Sequence, residues 1–293
     1  MKRLHAAACV VHFVSAVFVF LLQGRDQPLK WTQFNVTTVV TTVVTTVEKE
    51  AAILETFVEA IRVDPVIIVG WNEALTCLSH GIACFLRVDD LDVGGYSRKS
   101  EYTRRWLEYA VTAGLLEVAV LIGLGETNIL VVLIVLLNNA ALQCLGWSLD
   151  VNHSSVLPMI SGFVLLGSIV LILSAHVANQ IGLEIEWAYL VTIFSLFYAS
   201  FGVHQTLYLL VEKYRKRFDV DKIYVCLSLT SKIVLSWTFI AVYHRTLVRL
   251  DDPGHLNWDT EWQVIMYTLA GLGLLFIGFF YYKLAVKNDY ISI

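Results

Sequence analysis

The sequence predicts an all-α membrane protein built as one helical bundle. Of its 293 residues, 57% are hydrophobic and only 16% are charged, and the mean hydropathy is +0.66, which is too apolar for a soluble domain of this length. A helix needs about 20 apolar residues to cross the roughly 30 Å of a bilayer core. Eight segments meet this requirement: residues 5–23, 66–86, 104–124, 128–148, 157–178, 187–211, 221–243 and 263–283.

Lysine and arginine are distributed unequally between the two sets of connections. If the N-terminus is cytoplasmic, the cytoplasmic segments hold fourteen of these residues and the opposite segments hold six. Basic residues accumulate on the cytoplasmic side, so both termini are predicted to face the cytoplasm from the cell membrane. The first segment also has the basic start and apolar core of a secretory signal peptide. It lacks a small-x-small cleavage pattern, which favours a retained helix.

The connection at residues 24–65 is predicted to be extracellular. Within it, VTTVVTTVVTTV at residues 36–47 spaces its valines as a helical stripe, but every residue is β-branched, which favours a strand. Residues 48–61 fit a short amphipathic helix at the membrane interface. Asn35 begins an Asn-Val-Thr sequon and is a glycosylation candidate.

The sequence lacks the motifs of common soluble enzymes and of metal sites. It contains no Walker loop, no GxGxxG, no HExxH and no GxSxG. We therefore predict neither an enzyme nor a metal site. The cysteines show no CxxC or Cys/His ligand spacing and are interpreted as small core residues: Cys9, Cys77, Cys84, Cys144 and Cys226.

A single lysine interrupts the seventh apolar segment. Lys232 lies near the middle of CLSLTSKIVLSW, residues 226–237, where burial of its charge costs roughly 2.5–3.5 kcal/mol. Such a lysine is either one half of a structural ion pair or a functional group. A desolvated lysine is also the residue type that forms Schiff bases with aldehydes, because burial favours the neutral amine.

Glu108, in RRWLEYAVTA of the third segment, is the predicted partner of Lys232. Arg105 precedes it by three residues, so this arginine can orient the carboxylate or keep it ionised. Ser228 and Ser236 lie four residues before and after the lysine, on the same helix face. These residues together predict a polar pocket around the lysine.

Three more polar residues fall at a similar depth. Thr76 and His80 lie four residues apart on the second segment, and His12 lies in the first. A lone membrane histidine more often bonds one helix to another than carries protons. The convergence of two histidines, a hydroxyl face, a carboxylate and a lysine favours a role in proton transfer.

These residues resemble the heliorhodopsins, retinal-binding photoreceptors whose orientation is inverted relative to other microbial rhodopsins. The resemblance covers about residues 1–245 and rests on four stretches: RWLEY at 105–109, LSLTSKIVLSW at 227–237, SFGVHQ at 200–205 and LTCLSH at 75–80. It implies a seven-transmembrane rhodopsin-like helical bundle. An extracellular connection at 246–261 and one additional C-terminal helix with a cytoplasmic tail at 262–293 would follow.

The resemblance also implies a cofactor. Lys232 would carry all-trans-retinal as a protonated Schiff base, and Glu108 would be its counterion. Three further residues would form the hydrogen-bond network around that pair: Ser228, Thr76 and Arg105. The light reaction would move a proton away from the Schiff base and later return it.

Two further groups of residues take their roles from the same resemblance. His12 and His80 would lie in a cytoplasmic-side polar cavity that accepts the proton. Aromatic and hydroxyl side chains would line the retinal pocket, although each is more often simple core packing when taken singly. The candidates are Trp106, Tyr109, Phe201, Ser236 and Trp237.

The chain departs from the family pattern in two respects. The apolar segment at residues 262–285 exceeds the seven helices of the family. Glu73 and Glu117 place carboxylates where apolar residues are expected. These acids either complete a light-dependent proton path or are neutral acids hydrogen-bonded between helices.

Active pumping is not predicted. Light-driven proton pumps resemble one another in having an Asp four residues before the retinal lysine and a donor carboxylate eleven residues past the counterion. This chain has Ser228 and Ala119 there. The predicted function is therefore that of a non-pumping light sensor. Its expected partners are membrane lipid and, from the resemblance, a second copy of the chain; no nucleic acid is expected.

Two alternatives stay open at the level of sequence. The first is a light-gated proton or ion conductor on the same scaffold, which would use Glu73 and Glu117. The second is a transporter or scaffold without photoactivity, in which Lys232 and Glu108 form only a structural salt bridge. The second alternative predicts a colourless protein.

Overall fold

The computed structural model consists of helices and one short strand pair. It describes residues 2–23, 34–35, 62–85, 96–126, 128–151, 156–179 and 184–251. The elements in chain order are α1 (Lys2–Gln23), β1 (Phe34–Asn35), β2 (Arg62–Val63), α2 (Pro65–Phe85), α3 (Tyr96–Gly123), α4 (Ile129–Val151), α5 (Leu157–Ala178), α6 (Glu184–Leu210), α7 (Glu212–Arg217) and α8 (Val220–Asp251). Seven of these helices, all except the six-residue α7, are long and apolar enough to cross a membrane.

Seven of the eight predicted segments coincide with these helices. The predictions for residues 36–47, 48–61 and 263–283 lie outside the described residues. Two helices extend beyond their apolar segments, because α3 begins at Tyr96 and α8 continues to Asp251. Hydropathy marks only the part of a helix that lies in hydrocarbon, so polar turns at either end are not detected by it.

The strands β1 and β2 form a two-stranded antiparallel ribbon between α1 and α2. Phe34 pairs with Val63, and Asn35 pairs with Arg62. The ribbon joins the start of the long α1–α2 connection to its end. The sequon asparagine thus lies at the ribbon, and its glycosylation stays a prediction.

The membrane-length helices form a closed ring. Successive helices pack on one another from α1 to α6, α6 packs on α8, and α8 closes the ring against α1. The most enclosed spans are α3 and α8, in which 67% and 78% of the apolar window is buried, against 22% for α5. Polar side chains on α3 and α8 are therefore removed from both lipid and water.

The end of α3 is a tight reversal centred on Gly125. This glycine has φ 84°, a conformation that glycine adopts without a steric penalty. The N–H groups of Gly125 and Glu126 donate to the carbonyl oxygens of Ile122 at 2.9 Å and Leu121 at 3.0 Å, which is the Schellman arrangement. Glu126 is thereby placed against His176 of α5, with Oε2 and Nε2 2.6 Å apart.

Gly123 lies where α3 approaches α6 and α8 most closely. A Cβ atom at this position would lie 2.6 Å from Trp187 and 2.9 Å from Phe239, and both rings are fully buried. We expect Gly123→Val to lower the free energy of unfolding by about 1–3 kcal/mol, because an overpacked core forces side chains off their rotamers. Thermal unfolding followed by circular dichroism in lipid nanodiscs measures this loss.

Gly167 on α5 provides the matched control. A Cβ added there meets nothing within 4 Å, and alanine is the better helix former by roughly 0.8–1.0 kcal/mol. We expect Gly167→Ala to unfold at the parental temperature or above it. Equal destabilisation by the two substitutions would contradict the close approach of helices at Gly123.

Candidate functional site

Lys232 and Glu108 meet in the centre of the bundle. Lys232 Nζ donates to Glu108 Oε1 at 2.7 Å, and the two side chains are only 8% and 4% exposed. Nζ also donates to Thr76 Oγ1 at 2.9 Å. The Thr76 hydroxyl in turn donates to the carbonyl oxygen of Asn72 at 2.8 Å, so its oxygen lone pairs face the lysine. The lysine amine stands where a Schiff-base nitrogen would lie.

The second carboxylate oxygen of Glu108 accepts two hydrogen bonds. Ser79 Oγ donates to Oε2 at 2.5 Å and Arg104 Nη1 donates at 3.4 Å. Arg104 also donates to Ser79 Oγ at 2.6 Å. Glu108 therefore lies between two cations, the lysine and Arg104, and this pairing offsets the several kcal/mol that an isolated buried charge costs. Ser79 was not predicted, although it lies three residues from Thr76 on the same face of α2.

Arg105 does not occupy the predicted position beside the counterion. Its guanidinium forms ion pairs with Asp150 at 2.5 Å and with Asp221 at 2.8 Å, and Arg104 is the arginine that contacts Glu108. Adjacent residues on a helix point about 100° apart, so the two arginines serve different neighbours. The i, i+3 spacing led us to predict Arg105 beside Glu108, whereas Arg104 makes the contact.

Asp150 is the centre of a buried cluster that joins four helices. Besides its ion pair with Arg105, it accepts hydrogen bonds from Trp106 Nε1 at 2.6 Å and from Gln205 Nε2 at 2.9 Å. The hydroxyl of Tyr224 donates to Gln205 Oε1. The cluster ties α3, α4, α6 and α8 together at the end of the bundle that holds the start of α1. Sequence analysis missed Asp150, whose only signal was a charge at the end of an apolar segment.

Ser228 is buried one turn before Lys232 on α8. Its hydroxyl lies beside Tyr109 and forms no hydrogen bond of normal geometry within the described residues. Of the three residues predicted for this network, Thr76 contacts the Lys232–Glu108 pair directly. The second hydroxyl contact comes from Ser79, also on α2.

A second buried carboxylate, Glu73, lies one turn from Thr76 on α2. Its Oε2 is 2.6 Å from His12 Nδ1, and its Oε1 accepts a hydrogen bond from Ser236 Oγ at 2.5 Å. The side chains of Glu73 and His12 are both 0% exposed. Because Ser236 lies one turn beyond Lys232 on α8, the lysine and the second carboxylate are neighbours in the same polar network.

Three histidines lie in a row along the contact between α1 and α2 and are called the histidine ladder: His5, His12 and His80. The rings of His12 and His80 are stacked with centroids 5.7 Å apart, and the Nδ1 atoms of His80 and His5 are 2.9 Å apart. All three side chains are buried. His5 was not predicted; its spacing of seven residues from His12, two turns along one face, was the available signal.

An apolar cavity lies beside Lys232, between α3, α4, α5, α6 and α8. Its volume is about 110 Å³. The predicted wall residues Trp106, Tyr109 and Phe201 line it. The Tyr109 ring meets the other two edge-on, with centroids 6.0 Å and 5.5 Å away.

Two glycines allow aromatic rings to form the walls of this cavity. A Cβ on Gly146 would lie 2.4 Å from the Trp106 ring, and a Cβ on Gly202 would lie 2.8 Å from the Phe163 ring. The lining is otherwise mainly apolar and aromatic, and it includes Lys232. The residues present thus fit a long apolar aldehyde such as retinal, whose carbonyl carbon can condense with a lysine amine.

Ser236 and Trp237 do not line the cavity, contrary to the prediction. Ser236 donates to Glu73, and Trp237 Nε1 donates to Ser15 Oγ of α1 at 3.1 Å. On α8 the cavity face carries Leu235, and each further residue turns by about 100°. The two side chains therefore face α1 and α2.

Glu117 is fully buried in the half of α3 beyond Glu108. Neither of its carboxyl oxygens forms a hydrogen bond within the described residues. The neighbouring Tyr198 hydroxyl donates to the Ala113 carbonyl oxygen at 3.3 Å. Glu117 is thus separate from the hydrogen-bond networks of Lys232 and Glu73.

The cysteines are free thiols in varied surroundings. Cys226 is buried, whereas Cys144 is exposed and the other three are half-buried, so the interpretation as core residues holds for Cys226 alone. The Sγ atoms of Cys9 and Cys77 are 3.5 Å apart. Among the described residues, no group of three histidine, cysteine or acidic side chains is arranged to hold a metal ion.

Comparison with known proteins identifies the family. A family model described as Heliorhodopsin matches residues 1–244, which contain all seven membrane-length helices up to the last turns of α8. No curated protein matches the chain. The match covers both Lys232 and Glu108 and agrees with the seven-helix architecture. The chain belongs to the heliorhodopsin family of retinal-binding, light-sensing membrane proteins.

Proposed function

We propose that this protein is a non-pumping light sensor that carries all-trans-retinal on Lys232 as a protonated Schiff base, with Glu108 as counterion. The observation that carries the proposal is the buried contact of 2.7 Å between Lys232 Nζ and Glu108 Oε1, at the edge of an apolar cavity. A structural ion pair alone gives no reason for that cavity to lie beside the lysine.

Each residue around the Lys232 nitrogen has its own role. Glu108 balances the positive charge, and Thr76 accepts a hydrogen bond from the nitrogen. Retinal supplies light absorption and isomerisation when bound. Apolar walls exclude water, which strengthens the interaction between the cation and its carboxylate.

The groups around the Lys232 nitrogen indicate where its proton would move. His12 and His80 lie on the α1–α2 side of the site and supply imidazole nitrogens that accept protons. No acidic side chain stands at Ser228 or Ala119, the positions at which the pumping rhodopsins carry carboxylates. A proton that moves into the histidine region and returns by the same route produces a photocycle without net transport.

The membrane orientation is part of the proposal. The excess of lysine and arginine in one set of connections favours a cytoplasmic location for both termini. The histidine ladder would then lie in the cytoplasmic half of the bundle, and the β1–β2 ribbon with Asn35 would lie outside the cell. Homodimerisation is proposed from the family resemblance alone.

The first prediction concerns the chromophore. Protein purified from membranes supplied with all-trans-retinal is expected to have a visible absorption band, because a protonated Schiff base shifts retinal absorption to longer wavelength. Lys232→Ala is expected to lack the band, since no other amine lines the cavity in the described part of the chain. If both proteins are colourless and the retinal is intact, Lys232 and Glu108 form only a structural pair.

The second prediction concerns the counterion. In Glu108→Gln the proton on the lysine nitrogen loses its carboxylate, and removal of one partner of a buried pair typically costs about 3–5 kcal/mol. The visible band at neutral pH is therefore expected to be replaced largely by a short-wavelength band, measured by absorption spectroscopy. Glu126→Gln, which removes a carboxylate beyond the far end of α3, is the control and is expected to keep the band. A parental spectrum in Glu108→Gln would rule out this counterion.

A light-gated proton conductor is the second candidate function. The observation that favours it is the chain of buried polar groups from Ser236 through Glu73, His12 and His80 to His5. A conductor predicts a light-induced current under voltage clamp that is lost in Glu73→Gln. Glu117→Gln tests whether the path continues through the other half of the bundle. The light sensor proposed above gives no sustained current at any voltage, so silence of the parent excludes conduction.

A further inference from the structure

The half of α3 beyond Glu108 carries one carboxyl group inside an apolar layer. Glu117 follows Glu108 by nine residues, about 14 Å along the helix axis, and its side chain is fully buried. Its neighbours on α3 belong to the main apolar core of the described residues: Leu116, Val118, Ala119, Val120 and Leu121. The proposed chemistry at Lys232 gives this acid no role.

The surroundings of Glu117 do not stabilise an ionised carboxylate. Within the described residues neither carboxyl oxygen has a hydrogen-bond partner, and the polar group that interacts with them is the hydroxyl of Tyr198, not a lysine, arginine or histidine. A carboxylate buried without a cation costs so much free energy that the group binds a proton instead. These surroundings favour the protonated, neutral acid.

Tyr198 on α6 can accept the hydrogen of that acid. Its hydroxyl donates to the carbonyl oxygen of Ala113 on α3 at 3.3 Å, and Ala113 lies one turn before Glu117 on the same helix face. A hydroxyl that directs its own hydrogen elsewhere keeps its oxygen lone pairs as acceptors. Towards the carboxyl group beside it, the Tyr198 hydroxyl is therefore an acceptor and not a donor.

The same tyrosine lines the cavity beside Lys232. Its ring stacks on that of Phe194, with centroids 4.0 Å apart and 23° between the ring planes, and Phe194 is fully buried. A phenol ring is rigid, so a molecule in the cavity that displaces the ring also displaces the hydroxyl. The position of the hydroxyl relative to Glu117 thus depends on the shape of the molecule that fills the cavity.

We propose that Glu117 is a neutral acid that donates its hydrogen to the Tyr198 hydroxyl oxygen, and that this pair positions the Tyr198 ring at the cavity wall and responds when the bound chromophore changes shape. The inference rests on the proposed binding of retinal at Lys232. Glu117 is a positioning residue, because it acts on the chromophore through Tyr198. It keeps its proton throughout, and only the length and direction of its hydrogen bond change.

Infrared difference spectroscopy between illuminated and dark protein loaded with retinal tests the response. The parent is expected to show a negative and a positive band from the C=O stretch of one protonated carboxyl group, because this frequency depends on the hydrogen bonds of the group. Glu117→Gln removes the carboxyl group and is expected to lose both bands. The matched control is Glu126→Gln, which removes the acid that contacts His176 just beyond α3 and is expected to keep both bands.

Tyr198→Phe tests the pair without removal of the acid. Glu117 then loses the acceptor of its hydrogen, so its C=O band is expected to lie at higher wavenumber than in the parent, and the light-induced shift of the band is expected to be smaller. Tyr243→Phe is the control. It removes a buried hydroxyl on α8 that does not line the cavity and is expected to leave the band at its parental wavenumber.

The protonation of Glu117 has a measurement that needs neither light nor retinal. ¹³C NMR of parent protein labelled at the glutamate carboxyl carbons, at neutral pH and with the Glu117 signal assigned by its loss in Glu117→Gln, is expected to show a neutral acid. The signal of an ionised carboxylate overturns the inference. If Glu117→Gln does not fold, Tyr198→Phe decides, since unshifted carboxylic-acid bands in that variant also overturn the inference.

The outcomes separate this inference from the function on which it depends. Absence of a Lys232-dependent visible band overturns both. A visible band together with parental infrared bands in Glu117→Gln overturns the inference and leaves the light-sensor proposal standing. Loss of the acid band on illumination without a shifted positive band shows that Glu117 releases its proton, which overturns the inference as well.

Discussion

The structure depends on how one buried charge is balanced. Lys232 lies on the most enclosed helix of the bundle, where neither water nor lipid headgroups can solvate its amine. Its contact with Glu108 makes burial of both charges tolerable, and Thr76, Ser79 and Arg104 complete the hydrogen bonds of the pair. Since these groups come from α2, α3 and α8, the packing of three helices is coupled to the protonation of a single nitrogen. A change of charge at that nitrogen therefore alters contacts that all three helices make.

Two buried carboxylates, Glu108 and Glu73, have the same chemistry but different surroundings. Glu108 is surrounded by cations and a hydroxyl donor, which stabilise its ionised form. On α2, Glu73 lies six residues, nearly two turns, before Ser79, which contacts Glu108. The partners of Glu73 are the imidazole of His12 and the hydroxyl of Ser236. An arginine is always charged, whereas the charge of an imidazole depends on its surroundings. The two carboxylates thereby differ in the kind of partner that each one contacts.

Sequence was sufficient for the spans and for the principal pair. Hydrocarbon thickness dictates the length of an apolar run, so the seven membrane spans were located within a few residues. A charge inside such a run demands an opposite charge nearby. Spacing alone could not identify which of Arg104 and Arg105 contacts Glu108, because residues three and four positions before Glu108 both lie near its face. Ser79, Asp150 and His5 were missed for a different reason: single polar residues in apolar helices acquire partners only through tertiary packing. Ser236 and Trp237 were assigned to the wrong face, since the direction of the cavity around α8 is set by neighbouring helices.

At the end of the bundle where α1 begins, the contacts between α3, α4 and α8 differ from those between α1 and α2. Between α3, α4 and α8, Arg105 is held by ion pairs with Asp150 and Asp221. Between α1 and α2 the corresponding depth is filled by the imidazoles of His5, His12 and His80. A buried arginine–carboxylate cluster costs several kcal/mol to open. At this end of the bundle, ion pairs thus join α3, α4 and α8, whereas contacts between imidazoles join α1 and α2.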